Sequence, residues 1–250
     1  DRARQRGVSP LAELVSTRMA NSADHPMRLR PKHIAQEVTS LVTETCEALG
    51  ISPHELSKQL VFMSHETFTP ARGGSASAEA DALRSAFGPD VGNVLVVNTK
   101  GYTGHPMAAG IEEAIVANGL WQRQLPAVAN MEKPDPEFSD LRFHKGGPLD
   151  ANRKYVLRLA AGFGSQIGLS MYRRGPGRGS RVDVSTLRQY VRSYCNSENG
   201  DVVLDKRVLR ARSTQRPKDA ALPDALATLV APSPGTEPGT EPGTEPGKEL

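Results

Sequence analysis

Between residues 94 and 120 an apolar, β-branched run gives way to a helical pattern across a glycine-rich joint, NTKGYTGHPMAAG at residues 98–110. The run reads as a strand and the pattern after it as a helix, so Lys100 and His105 fall in the loop between them, a usual address for chemistry. Gly101 and Gly104 permit backbone angles closed to other residues, and Pro106 suits a first helical turn, which sets His105 near a helix N-terminus. The positive end of the helix dipole disfavours imidazolium there, so His105 is expected to be neutral and to donate from one nitrogen. Taken alone, the loop reads first as a solvated turn with a structural histidine.

The rest of the chain supplies related transitions. From Arg30 the apolar residues Ile34, Val38, Leu41, Val42 and Leu49, with Pro31 in the first turn and Gly50 as a stop, predict an amphipathic helix. Cys46 lies one turn beyond Val42 and reads as a core residue of that helix. Ser52-Pro53-His54-Glu55 is a capping box that starts a short helix before a strand at 60–63, which delivers His65 just past its end. A helix over 77–87, carrying Glu79 near its start, follows, then a turn at Gly88-Pro89-Asp90. Residues 155–159 predict a strand that breaks at 160–164, and 167–172 a second strand, together a hairpin with Gly162-Phe163-Gly164 at its bend. The spacing of Gly162, Gly164 and Gly168, with no helix after them, does not fit a dinucleotide fingerprint.

Charge and composition narrow the function. A net charge of +3, evenly mixed, gives no case for nucleic-acid binding. The stretch 173–212 holds ten Arg or Lys against four Asp or Glu but is poor in aromatics, and reads as a basic linker with one helix over 185–194 and one strand over 202–209. The three Gly-Thr-Glu-Pro repeats from Gly235 offer nothing to build a core, so residues 213–250 are expected to be a disordered tail or tether. No run approaches the roughly 18 apolar residues of a membrane span. Two cysteines without metal-type or redox-type neighbours, and an N-terminus without a signal core that reads like a helix cut mid-chain, point to a reducing, cytoplasmic setting.

Three motifs now stand in order: His65-Glu66-Thr67-Phe68-Thr69-Pro70, Lys100 to Gly110, and Gly162-Phe163-Gly164. They resemble the H-G-T-x-T-P, K-x-x-x-G-H and G-F-G blocks of the C-terminal half of the β-ketoacyl synthases, the condensing enzymes of fatty acid and polyketide assembly. The resemblance covers residues 1–174, with 175–212 as the linker segment and 213–250 as the tail. It implies an α/β fold, one half of a thiolase-like layered αβαβα sandwich. It implies the chemistry too: His65 and His105 stabilise the oxygen of a malonyl-type thioester during decarboxylation, and Lys100 forms a buried ion pair with Glu79 that orients them. By the same resemblance Thr67 and Thr69 hold the pantetheine arm, and Phe163 completes the oxyanion hole and gates the pocket.

The implied partners are an acyl carrier protein or domain with its phosphopantetheine arm, an N-terminal synthase half, and a second copy in a homodimer. No bound cofactor, no metal and no nucleic acid are expected. Departures from the pattern are Glu66 in place of glycine, and Ala161, Ser165, Gln166 and Ile167 around Phe163. Neither Cys46 nor Cys195 has the small-residue setting of the family's nucleophile, so the chain is read as supplying the histidines and lysine while the cysteine lies on another segment. The alternatives are a non-catalytic partner or decayed synthase domain that shapes another synthase's acyl pocket, and an unrelated binding module.

Overall fold

The computed structural model describes residues 2–22, 30–66, 75–104, 110–162, 166–175, 181–205 and 208–213. The chain divides into two compact units, one of residues 11–176 and one that joins residues 1–10 to residues 177–250.

The larger unit is built on a six-stranded mixed sheet. Its strands are β1 (Ala12–Asn21), β2 (Leu60–Met63), β3 (Leu95–Val97), β4 (Arg142–Phe143), β5 (Tyr155–Gly162) and β6 (Gln166–Arg174), in the spatial order β1-β6-β5-β2-β3-β4. The three strands β1, β6 and β5 run antiparallel to their neighbours in that group, whereas β5, β2, β3 and β4 are mutually parallel. Helix α1 (Pro31–Leu49) buries Ile34, Val38, Leu41, Val42 and Cys46, the stripe that its sequence spacing predicts, and stops at Gly50, whose φ of 66° is left-handed. Helix α2 (Pro53–Gln59) starts at the predicted capping box: the Ser52 side chain accepts from Glu55 N–H while the Glu55 carboxylate accepts from Ser52 N–H.

Side-chain alternation splits the core in two. Leu60, Phe62, Val94, Val96, Leu157 and Leu159 pack with α1 and with α3 (Ser75–Phe87) on one face of the sheet. Val61, Met63, Leu95, Val97 and Val156 pack with α5 (Gly110–Gln122) on the other. A sheet covered on both faces needs strands apolar at every position, which is what β2 and β3 show.

Two local expectations change. The residues after β3 form a one-turn helix, α4 (Lys100–Thr103), rather than an open loop, closed by Gly104 at φ 73°. Strand β5 does not break at Ala160; it stays paired to Gly162, opposite Gln166, because small residues still offer a full backbone ladder.

The smaller unit holds a helix over Val184–Tyr194, capped by the Asp183 side chain on Ser185 and Thr186 N–H, and an antiparallel hairpin of Gly200–Asp205 with Val208–Ser213. One strand was expected there. Within this unit the Arg6 guanidinium sits 5.3 Å from the Tyr190 ring, which stacks on Tyr194. No helix among the described residues is long and apolar enough to cross a membrane.

Candidate functional site

The parallel pairing of β2 with β3 sets Met63 opposite Val97. One more ladder bond, Ser64 N–H to Val97 O at 2.9 Å, carries the register past the strand ends. Residues 64–66 and 98–100, far apart in sequence, therefore lie side by side at the C-terminal edge of the parallel strands, where open α/β sheets place their ligands.

Asn98 fastens the two segments together. Its side-chain amide donates to Glu66 O at 2.8 Å and to Ser64 Oγ at 3.4 Å, and its side-chain oxygen accepts from Lys100 N–H at 2.8 Å. At 4% exposure it is a buried polar group with both ends used. The sequence motif contains Asn98, but nothing in its spacing marks that role.

Each segment is backed by a buried carboxyl. Glu79, on the first turns of α3, accepts from His65 N–H at 2.9 Å and from the Ser64 hydroxyl. Burial pushes it up to about 8, and the nearby Glu66 charge adds to the rise, while the Ser64 and His65 hydrogen bonds and the more distant Lys100 oppose it without prevailing. Glu66, which stands where the resembled motif has glycine, is bonded by the Ser75 hydroxyl at the start of α3.

The Lys100 ammonium pairs with Glu112 on α5, not with Glu79 as the resemblance implies. Both side chains are at most 3% exposed. The other Glu112 oxygen lies 2.9 Å from Arg158 of β5, whose guanidinium also stands 3.6 Å from Glu113. Burial alone would raise the Glu112 carboxyl; hydrogen bonds and charge from Lys100 and Arg158 outweigh it and hold the group below the usual carboxylate range. The geometric reason for the changed partner is that α4 turns Lys100 toward the α5 face of the sheet, where Val97 also points, while Glu79 lies on the α3 face with Val96. Gly101 lets this turn pass close to Ala129, where a side chain would collide.

Between α3 and the 128–138 segment is a cavity of about 280 Å³ with apolar walls, among them Phe62, Leu83 and Phe143, and a polar end formed by Ser64, Glu66, Glu79 and Asn98. Among the described residues no group of three His, Cys, Asp or Glu side chains is arranged to hold a metal. His105, Thr67, Thr69 and Phe163 lie outside the described residues. Cys46 is buried on α1, and burial first, then the Glu55 charge, raises its thiol above the ordinary value, which opposes nucleophilic use.

No family model matches the chain. It is 28% identical to 3-oxoacyl-[acyl-carrier-protein] synthase 2 of Coxiella burnetii over 170 residues, 67% of this chain and 39% of that protein. Against the Synechocystis protein of the same description it is 28% identical over 161 residues, 64% of this chain and 36% of the other. The chain thus spans less than two fifths of the length of these curated relatives. Among solved structures it superposes on a type II polyketide ketosynthase in complex with its acyl-carrier protein, with TM-score 0.57 and 23% identity over 69% of this chain and 40% of that one. On the ketosynthase from module 1 of the bacillaene synthase of Bacillus amyloliquefaciens the TM-score is 0.59 at 19% identity, over 76% of this chain and 38% of the other.

Proposed function

We propose that this chain, a ketosynthase-type region with the thiolase-like fold of the β-ketoacyl synthases, contributes the oxygen-stabilising part of a decarboxylative condensation site. The observation that carries the reading is the Asn98 clamp, which joins the His65 and Lys100 segments at one sheet edge, with buried Glu79 behind the first and buried Glu112 behind the second. A site that must hold two donors on one developing oxyanion needs this kind of rigid support.

In the chemistry proposed, a cysteine thiolate on another segment takes the acyl group from its thioester and releases the carrier thiol. The malonyl-type thioester then loses CO2, the electron pair of the broken bond remaining on carbon as an enolate. His65 and His105 donate hydrogen bonds to the enolate oxygen. The enolate carbon attacks the acyl-enzyme carbonyl, and the tetrahedral intermediate expels the cysteine thiolate, with Phe163 N–H in the oxyanion hole. Thr67 and Thr69 hold the pantetheine arm of an acyl carrier protein.

The proposed second half has support in α5. The helix buries Val116 and Leu120 against the sheet, while Ile111 on it is 51% exposed, an apolar side chain left for a further packing surface. The test is CO2 release from a malonyl thioester by this chain assembled with a cysteine-bearing half. His65→Ala is expected to lower the rate by about 100-fold or more; an undiminished rate would sink the assignment.

A further inference from the structure

Arg158 is a charge in a strand that otherwise has none. Its neighbours Val156, Leu157 and Leu159 are buried and apolar, and β5 is flanked by β2 and β6, so the side chain is only 5% exposed. Its partner Glu112 already has a cation in Lys100. Glu113, the other carboxylate in reach, is 37% exposed, and a charge open to water returns little. Lys100, Arg158 and Glu112 together therefore carry a formal excess of one positive charge inside the protein. Arg158 Nε–H is in addition buried without a hydrogen-bond partner among the described residues, a state that buried donors ordinarily avoid. For stability alone a methionine of similar length would serve this position nearly as well, since Glu112 would keep Lys100 as its partner and no uncompensated buried charge would be left.

We propose that Arg158 is a positioning residue of the thioester site. It fixes one oxygen of Glu112 while Lys100 holds the other, and it keeps the buried cluster cationic, so that negative charge developing on the thioester oxygen meets a positive field already in place. Fixed charges of this kind need no reorganisation at the moment of reaction. The inference rests on the condensation reading above and adds to it a residue that none of the three sequence motifs contains.

The test uses Arg158→Met and Arg158→Lys. Each chain is melted by circular dichroism, then assembled with the cysteine-bearing half and assayed for CO2 release from a malonyl thioester. The expected result is an Arg158→Met melting temperature no more than about 2 °C below wild type, a kcat lower by about tenfold with KM unchanged, and most of kcat retained in Arg158→Lys. A large drop in melting temperature, or failure of Arg158→Met to fold, overturns the proposal by making Arg158 a stabilising residue. An unchanged kcat in Arg158→Met overturns it, and so does an equal loss in the lysine variant, which keeps the charge. A wild-type assembly that releases no CO2 overturns the condensation reading and this inference with it, and is recognised because the defect precedes any substitution.

Discussion

Replacing Glu79 by glutamine isolates the energetic cost of a carboxylate at the His65 segment. The folded chain holds this carboxyl at about 8 against an ordinary value of 4.5. Because the folded value is raised, the native state binds the proton more tightly than the unfolded chain. The stabilisation is complete below about pH 4.5 and is lost as pH rises through about 8. The slope over that window is about 1.4 kcal/mol per pH unit for one proton, and the full loss is on the order of 5 kcal/mol. Glutamine keeps an oxygen to accept from His65 N–H and has no proton to lose. The assay is urea unfolding of both chains at half-unit steps from pH 5 to pH 9. Taking the difference between the two chains removes every other titrating group that they share. Near pH 5 the two are expected to be of similar stability, and the glutamine variant is expected to gain steadily until about pH 8. A difference that stays constant across that range would refute the reasoning, since Glu79 would then ionise alike in both states.

Other substitutions test the remaining supports. Asn98→Ala leaves the buried Lys100 N–H without its acceptor and removes a donor from half-buried Glu66 O, and is expected to cost about 2–3 kcal/mol in urea unfolding; a loss below about 1 kcal/mol would mean that the two segments hold their positions without the clamp. Lys100→Met removes one of the two cations on Glu112 and is expected to cost about 1 kcal/mol, well under the cost of stranding a buried carboxylate, because Arg158 remains its partner. Urea unfolding also checks this, and an unchanged midpoint would argue that Lys100 contributes nothing to the fold. Cys46, buried with a raised thiol, is expected to resist iodoacetamide in the native chain, while the more accessible Cys195 reacts; peptide mapping that finds Cys46 modified first would contradict its placement in the core.

What the sequence made legible was chiefly local. Helix α1 could be read because its buried stripe repeats every three or four residues and its stop is a glycine. The capping box at Ser52 could be read because both of its partners lie within three residues of each other. The partner of Lys100 could not, since it depends on which sheet face a one-turn helix presents and on the phase of a helix ten residues later. Arg158 was hidden for a different reason. In an alternating strand a charged residue reads as solvent-facing, whereas α5 covers that face and buries it. The basic stretch beyond residue 173 reads as a linker with one helix and one strand; the helix forms, and the single expected strand is in fact a hairpin whose bend falls inside the span of that strand, where no glycine or proline marks it.

The exchange of partners around Lys100 bears on the state of Glu79. Had Lys100 paired with Glu79, the cation would have held that carboxyl ionised, one backbone hydrogen bond from the histidine. With Lys100 and Arg158 both on Glu112, the direct partners of Glu79 among the described residues are the neutral donors of Ser64 and His65 N–H, and burial pushes its carboxyl up to about 8, toward the protonated form at neutral pH. The two carboxyls thus take opposite states for one reason: the available cations are on one side of the sheet and His65 is served from the other. Glu66, whose charge raises Glu79 further, then reinforces the protonated state of Glu79.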